Sequence, residues 1–466
     1  MKKQLNLILK NVLQKINPPE QEMGEIDQIV KDFSKQFKEH AKKNKITAEV
    51  FIGGSFAKKT MIKKDYYDIR NLVQTIPFKA SLISEHPKVQ NKPHFKREDK
   101  TQELYDIDIF VRFDKKYMDK DISILTQKIL KSFAKNTERI HGSRDYFNIR
   151  ISPLCCLEII PVMNINNPKE AQNITDLSYS HVNYINKKIK QKDILDEIKI
   201  AKAFCYANKC YGAESYINGF SGYSLELLVC YYGSFLKFIK ELAKEKKAGK
   251  IVIDIEGDYK NKQSVLMDVN SSKLQSPIIL IDPTFRQRNA LAALSEETFD
   301  KFKKACRKFI KSPGEKLFEV EKTDLEKIKR GADKKKLEFI LLEIKTDKQE
   351  GDIAGSKLFK FYNHLNQELT RFFDIKDRGF NYNDKHSARC YFIAKRKKEV
   401  FIIGPSVKQA KHVKAFERVH KNYSIRKGRV YAKENVNFSL RGFITLWKKV
   451  NAQKMKDMSV IGLEAV

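Results

Sequence analysis

Asp106 and Asp108 stand in Leu104-Tyr-Asp-Ile-Asp-Ile-Phe-Val-Arg-Phe113, a stretch that reads as a strand. Alternate side chains of a strand share a face, so the two carboxylates point one way and Ile107 and Ile109 the other. Adjacent acids repel each other unless a cation lies between them. Upstream, Val50-Phe-Ile-Gly-Gly-Ser-Phe-Ala-Lys-Lys-Thr60 runs a short apolar strand into a turn at Gly53, Gly54 and Ser55. Downstream, Leu157-Glu-Ile-Ile-Pro-Val162 offers a third acid, Glu158, on another strand. Two glycines let backbone amides approach a triphosphate, the helix start that follows adds free N–H groups, and Ser55 can donate a further hydrogen bond. The chemistry that suits this set is nucleotidyl transfer, in which a 3′-hydroxyl attacks the α-phosphate of a nucleoside triphosphate and pyrophosphate leaves. Two Mg2+ ions about 3.5–4 Å apart activate the attacking oxygen and stabilise the leaving one in such reactions. Asp106 and Asp108 supply hard oxygen ligands for both ions, and Glu158 for one.

These residues need elements to hold them. Ile26, Ile29, Val30, Phe33 and Phe37 recur at helical spacing within 24–42, so an amphipathic helix leads into a strand at 48–52. A helix over 121–137 and two strands within 145–163 complete a mixed head. From about 170 the period turns helical, with Leu195, Ile198, Ala201, Phe204 and Cys205 on one face of 193–209. Another helix runs from Tyr223 through Phe238, and a short strand, Ile278 to Ile281, ends at Asp282-Pro283. The last third reads as a strand at 337–345, then a helix capped by Ser356 that carries Leu358, Phe361, Leu365, Leu369 and Phe372. Strands around 388–395 and 399–404 and a helix from Ser406 to His420 follow, which suggests a ferredoxin-like layer.

A chain of 466 residues suggests about three domains at roughly 150 residues each. It has no apolar run of about 18 residues for a membrane span, and its first residues are too polar for a secretory signal. A cytoplasmic protein with no membrane partner is expected. Seven cysteines form no Cys-x-x-Cys pair and the histidines complete no zinc spacing, so reduced core thiols and no structural metal are expected. The formal charge of +33 attracts polyanions. Abundant Lys, Ile, Asn and Tyr also fit an AT-biased genome, yet acids could have balanced those lysines and do not, which favours a nucleic-acid partner.

Further segments extend the pattern: Thr175-Asp-Leu-Ser-Tyr-Ser-His-Val-Asn-Tyr-Ile185, Asp196-Glu-Ile-Lys-Ile-Ala-Lys202, Cys210-Tyr-Gly-Ala-Glu214, Gly219-Phe-Ser-Gly-Tyr-Ser-Leu-Glu-Leu-Leu228, Asp282-Pro-Thr-Phe-Arg-Gln-Arg-Asn-Ala290, Phe401-Ile-Ile-Gly-Pro405 and Gly428-Arg-Val-Tyr431. With the acids, they resemble the archaeal (class I) tRNA CCA-adding enzymes of the polymerase-β-like nucleotidyltransferase superfamily, over nearly the whole chain. The resemblance implies an α+β multidomain protein. It would have a polymerase-β-like nucleotidyltransferase head (1–165), a mainly helical central domain (166–315) and a ferredoxin-like C-terminal module with a tail (316–466). It implies addition of C, C and A to tRNA from CTP and ATP with two Mg2+ ions. His181, Lys202 and Tyr211 would contact the triphosphate, Lys58 near the glycine turn would bind the nucleotide with Gly54 and Ser55, and Arg288 would help read the base. Plainer readings exist for each: Tyr211 as an amphipathic core residue, His181 as a packed histidine, Lys202 as a semi-buried stem, and Arg286 and Arg288 as surface cations.

Three departures from the family pattern stand out. Glu158 replaces the usual Asp, a long insertion runs from Asp65 to Tyr105, and Lys58-Lys59 replaces the more usual Arg, whose planar fork lysine lacks. Asp68, in Tyr67-Asp-Ile-Arg70, lacks a second acid and is rejected as the metal site. The tRNA acceptor and T arms, with no DNA, would be gripped by Lys408, Lys411, Lys414, Arg418, Lys421, Arg426, Lys427 and Arg429, positions a solvated basic face also explains. Whether the tail joins two copies in a homodimer is left open. Rival readings keep the chemistry with another acceptor (a poly(A) or terminal uridylyl polymerase), form cyclic oligonucleotides or oligoadenylate, or lose catalysis and only bind RNA.

Overall fold

The computed structural model describes residues 2–63, 105–152, 155–189, 192–244, 249–320, 324–382 and 385–466. Asp68 and the insertion up to residue 104 lie outside them. Residues 1–213 with 217–321 make one compact unit, and 214–216 with 322–466 make a second. The first two divisions expected from the sequence thus share one unit.

The first unit opens with helices α1 (Lys2–Ile16) and α2 (Glu20–Lys43), then β1 (Ala48–Ile52), the single turn α3 (Gly54–Ala57), β2 (Tyr105–Phe113), α4 (Ile122–Lys131), β3 (Thr137–Ile140), β4 (Tyr146–Ser152) and β5 (Cys155–Met163). The five strands form one sheet in the order β1-β2-β5-β4-β3, with β2 and β5 parallel and the other pairs antiparallel. Alternation in β2 buries Ile107, Ile109, Val111 and Phe113 against Ile26, Ile29, Val30, Phe33 and Phe37 of α2. Asp106 and Asp108 therefore take the other face. Asp121 caps α4 by accepting from Ser123 N at 2.8 Å. The helix expected over 121–137 ends at Lys131, and residues 137–140 form an edge strand instead, because Thr137 to Ile140 pair with Ile149 to Tyr146 of β4.

The same unit continues through α5 (Ser178–Lys188), α6 (Lys192–Ala207), α7 (Gly222–Tyr232), α8 (Phe235–Lys244), β6 (Ile251–Ile253), α9 (Lys262–Asp268), β7 (Ile278–Asp282), β8 (Phe285–Asn289) and α10 (Glu296–Lys311). The single helix expected from Tyr223 through Phe238 is two, because Gly233 takes a left-handed φ of +77° and ends α7. Phe204, Phe220, Phe235, Phe238, Phe302 and Phe309 fill the core, with Cys205, Cys210 and Cys306 among them. Burial pushes these three thiols well up, so they stay protonated core residues. Cys205, Cys210, Cys230, Cys306 and Cys390 carry free thiols.

The second unit contains α11 (Leu325–Lys334), β9 (Glu338–Lys345), α12 (Asp352–Thr370), β10 (Phe373–Tyr382), β11 (Ser387–Arg396), β12 (Glu399–Ser406), α13 (Ala410–Val419), β13 (Tyr423–Arg426), β14 (Arg429–Asn435), α14 (Leu440–Val450), α15 (Ala452–Asp457) and β15 (Gly462–Ala465). Its main sheet runs β10-β11-β9-β15, and β12-β14-β13 form a separate three-stranded sheet. Strand β10 escaped the sequence reading because Asp374, Lys376, Asp377 and Arg378 interrupt its apolar pattern at a sheet edge, where it is also bulged. Residues 399–404, expected in the main layer, pair with β14 instead. Helix α12 starts at Asp352 behind Gly351, whose φ is +79°, so Ser356 lies inside the helix and is not its cap. No helix among the described residues is long and apolar enough to cross a membrane.

Candidate active site

Register assembles the acids. Asp108 pairs with Glu158 across the parallel β2–β5 ladder, and Asp106 pairs with Cys156 two residues earlier. Residues directly opposite each other in a ladder share a face, so the three carboxylates stand together on the side away from α2. On the far side of Asp108, the Gly53 amide donates to the Asp108 carbonyl at 2.9 Å. Gly54 follows with φ of +59°, and a methyl group added there would meet Asp108 Oδ2 at 1.6 Å. The glycine turn is thus a cradle for the Asp108 carboxylate. The helix behind it is one turn long, so the dipole expected at its start is slight. Ser55 sits in that turn.

These residues suit a hard divalent cation in kind. The donors are carboxylate oxygens in one row, which is what Mg2+ takes from proteins. Asn148 of β4 pairs with Glu158 from the other side, and its Oδ1 is buried with no hydrogen-bond partner among the described residues. An oxygen so placed lacks a donor or a cation. Among the described residues no group of three or more His, Cys, Asp or Glu side chains is placed so that, as it stands, it could hold a metal ion. Asp106, Asp108 and Glu158 are the residues that would hold such ions.

Beside the glycine turn lies a buried charge cluster. Glu226 of α7 is fully buried, and its Oε2 accepts from Lys58 Nζ at 2.6 Å. Its Oε1 accepts from Thr60 Oγ1 at 2.7 Å and from Lys202 Nζ at 2.8 Å. Lys202 also donates to Thr60 O at 3.2 Å and Thr60 Oγ1 at 2.8 Å, so all three ammonium hydrogens are taken up inside the protein. Lys202 is therefore more than the semi-buried stem of the sequence reading; its side chain is 3% exposed. Burial pulls its ammonium below the usual lysine range, while Glu226, Lys58 and Asp108 also act on it. Tyr211 approaches the same place, its Oη only 2.9 Å from where a Gly222 methyl would lie.

Burial alone would raise the Glu226 carboxyl, but Lys202 and Lys58 hold it at about 2, against an ordinary 4.5. A group whose pKa is depressed in the fold contributes stability that is fully present above about pH 4.5 and drains away as pH falls toward about 2. The Glu226→Gln variant should start from a lower melting temperature and lose less of it across that window than the parent protein. Parallel melting curves against pH would remove Glu226 from the acid transition.

A second buried carboxylate, Asp282 at the end of β7, gathers the remaining candidates. It accepts from His181 Nε2 at 3.0 Å and Arg288 Nη1 at 2.6 Å on Oδ2, and from Tyr223 Oη at 2.9 Å and Thr284 Oγ1 at 2.8 Å on Oδ1. Burial would raise Asp282, but His181, Arg288 and the Thr284 amide hold it well below the carboxylate range. His181 is itself pushed down by burial, against the pull of Asp282. That ring stacks on Tyr223 at 4.0 Å between centroids. Lys58 Nζ and the Arg288 guanidinium stand 5.9 Å and 6.0 Å from the centroid of the same Tyr223 ring. Tyr223 and Glu226, one helical turn apart on α7, therefore join the base-reading candidate to the lysines.

The structure brings Lys58, His181, Lys202, Tyr211 and Arg288 around α7, next to the acid row. Sequence reading assigned no role to Glu226, Asp282, Tyr223, Thr60 or Asn148. One signal was present: Glu226 interrupts the apolar run Leu225-Glu-Leu-Leu-Val229, and a charge in such a run is a buried charge with a partner. Lys408, Lys411, Lys414, Arg418, Lys421, Arg426, Lys427 and Arg429 lie in the second unit and are all exposed. Helix α13 begins at Ala410, so Lys408 does not share its face with Lys411 and Lys414 as expected. Residues 406 and 407 are instead held to the β13–β14 turn, with Val407 N donating to Gly428 O at 3.0 Å.

Residues 196–319 match the model for the tRNA nucleotidyltransferase second domain. The CCA-adding enzyme of Nanoarchaeum equitans is 40% identical over 194 residues, 42% of this chain and 48% of that protein. The CCA-adding enzyme of Methanosarcina mazei is 31% identical over 217 residues, 46% of this chain and 44% of that protein. The CCA-adding enzyme of Methanocaldococcus jannaschii is 25% identical over 371 residues, 78% of this chain and 72% of that protein. The matched stretch thus spans less than half the length of the first two relatives. Among solved structures, Cid1 poly (U) polymerase aligns over 69% of this chain and 100% of its own, at 12% identity and a TM-score of 0.48. Residues 196–319 thus match a tRNA nucleotidyltransferase second domain, and the chain as a whole is similar to archaeal CCA-adding enzymes.

Proposed function

We propose that this protein adds C, C and A to the 3′ end of tRNA, using CTP and ATP and no nucleic-acid template. The observation that carries the reading is the row formed by Gly54, Asp108 and Glu158, set in register and adjoining the clusters around Glu226 and Asp282. In each cycle the terminal 3′-oxygen of the RNA bonds to the α-phosphorus, the bond from that phosphorus to the bridging oxygen breaks, and pyrophosphate departs. Two Mg2+ ions held by Asp106 and Asp108, one of them also by Glu158, would supply charge to the attacking and leaving oxygens. The chain's own part is positioning. The Gly53-Gly54-Ser55 turn keeps side chains out of the phosphate path, and the α7 cluster holds cations beside it. Arg288, locked by Asp282, keeps guanidinium donors in a fixed plane against the acceptors of cytosine or adenine. The head would be polymerase-β-like and the second unit a ferredoxin-like module with a tail.

Three tRNA transcripts, ending at the discriminator base, at C and at CC, would each be incubated with labelled CTP or ATP and Mg2+. Ordered addition of C, C and then A supports the proposal. Long tails on any RNA, or uridine addition, would replace it with a general terminal polymerase. The exposed cations of the second unit are proposed to contact tRNA phosphates, which fix position without reading sequence. Replacing Lys411, Lys414, Arg418, Arg426 and Arg429 together by alanine should weaken tRNA binding and flatten its dependence on salt by several units of log–log slope, at about 0.7–0.9 per lost phosphate contact. An unchanged slope would leave these residues a solvated face.

A further inference from the structure

One buried acceptor beside the acid row has no donor. Strand β4 puts Phe147 and Ile149 into the core with Ile107 and Ile109 of β2. Asn148, between them, therefore faces the side of the sheet that carries the acids. It stands opposite Glu158 in the antiparallel β4–β5 ladder, as Asp108 does in the parallel β2–β5 ladder. Side chains paired in this way have Cβ atoms about 4.5–5.5 Å apart, so their polar ends can meet one ligand. Asn148 Oδ1 is buried and accepts no hydrogen bond among the described residues. Arg150, the next β4 residue on that face, is exposed opposite Cys156 and does not fill the gap. An amide oxygen and a carboxylate side by side are both acceptors, and they call for a donor or a cation between them.

We propose that Asn148 is a positioning residue of the cation site, whose Oδ1 accepts a hydrogen bond from a water on the ion held by Glu158. Mg2+ sheds water reluctantly and keeps several waters in a protein site. The hydrogens of such a water need acceptors, and groups that take them orient the ion and its ligands. Glu158 has one methylene more than the Asp usual at this place, so its carboxylate has more orientations open to it. A water bridging the ion to Asn148 restricts them. The inference rests on the proposed two-ion site and goes beyond it: the acids bind the ions, and Asn148 fixes how the ion at Glu158 is hydrated. It does not depend on the identity of the RNA acceptor.

The test uses Mn2+ alone as the probe, because it takes the same oxygen donors as Mg2+ and its free form is counted by electron paramagnetic resonance. Asp108→Asn defines the signal and should abolish the Mn2+ bound at the acid row. Asn148→Val should weaken that Mn2+ by about 10–100-fold, the range for groups that support a metal ligand. Without metal, the same variant should melt at or above the parental temperature, since a buried acceptor with no donor has been removed from a strand. Asn148→Asp keeps an acceptor oxygen and should bind Mn2+ at least as tightly as the parent. An asparagine that served by donating to Glu158 would give the opposite result, because the aspartate would repel that carboxylate. In a Glu158→Gln background, Asn148→Val should add little further loss, as both act on one ion. Parental Mn2+ affinity in Asn148→Val, weaker binding in Asn148→Asp, or weakened binding together with a lowered melting temperature overturns the role of Asn148 and leaves the acids in place. Mn2+ binding that survives Asp108→Asn unchanged overturns the two-ion reading, and this inference with it.

Discussion

Exchange of Asp108 for asparagine is expected to leave a folded protein whose kcat for nucleotide addition has fallen by at least about 10^3-fold, several kcal/mol of transition-state stabilisation. The amide is nearly the size of the carboxylate, so it still fits against Gly54, where the carboxylate oxygen now lies 1.6 Å from the position of a Cβ. The buried face of β2 is untouched, since Ile107, Ile109, Val111 and Phe113 do that packing. What is lost is charge and ligand capacity in the middle of the row, flanked by Gly53 on one strand and Glu158 on the other. Melting curves and single-turnover addition of labelled CMP, read together, separate chemistry from folding. Activity within tenfold of the parent, with normal melting, would show that this row is not the reacting centre. Loss of activity together with loss of cooperative melting would show that Asp108 serves the sheet.

The second large effect concerns a residue with no side chain. Gly54→Ala should cost about 1–2 kcal/mol of stability for placing a Cβ in the left-handed region, where φ is +59°. Its larger effect is indirect, because the new methyl must displace Asp108 Oδ2. A displacement of about 1 Å at a reacting centre costs on the order of 10^2-fold in rate. Activity should therefore fall at least that far while the protein still melts cooperatively. In an Asp108→Asn background the glycine change should add little further loss of rate, because both substitutions act on one group. Independent, additive losses would mean that Gly54 matters for the phosphate path and not through Asp108.

Much of this site was legible before any tertiary structure. Alternation along Tyr105–Phe113 put Asp106 and Asp108 on one face and the aliphatic residues on the other, and the strand has that pattern of burial. The helix carrying Phe33 and Phe37 and the strand at 48–52 stand where periodicity put them. These features are local: they depend on periods of two and 3.6 residues that a chain carries in its own order. Where a local signal was weak the reading failed, as at β10, whose charges hide an edge strand, and at Gly233, whose left-handed turn divides a continuous apolar run.

Partnership is of another kind. Nothing in the residues near position 108 says that Glu158 will lie beside it, and a shift of one residue in the β2–β5 ladder would turn Glu158 to the other face. Nor does the order of residues say that Lys58, Thr60, Lys202 and Glu226 will share one buried knot, or that Asp282 will take His181 and Arg288 away from solvent. The sequence by itself determined which residues could do chemistry and which faces they would occupy. Tertiary structure alone decided their partners, because burial forces every charge in the core to find an opposite one, and such partners come from distant parts of the chain.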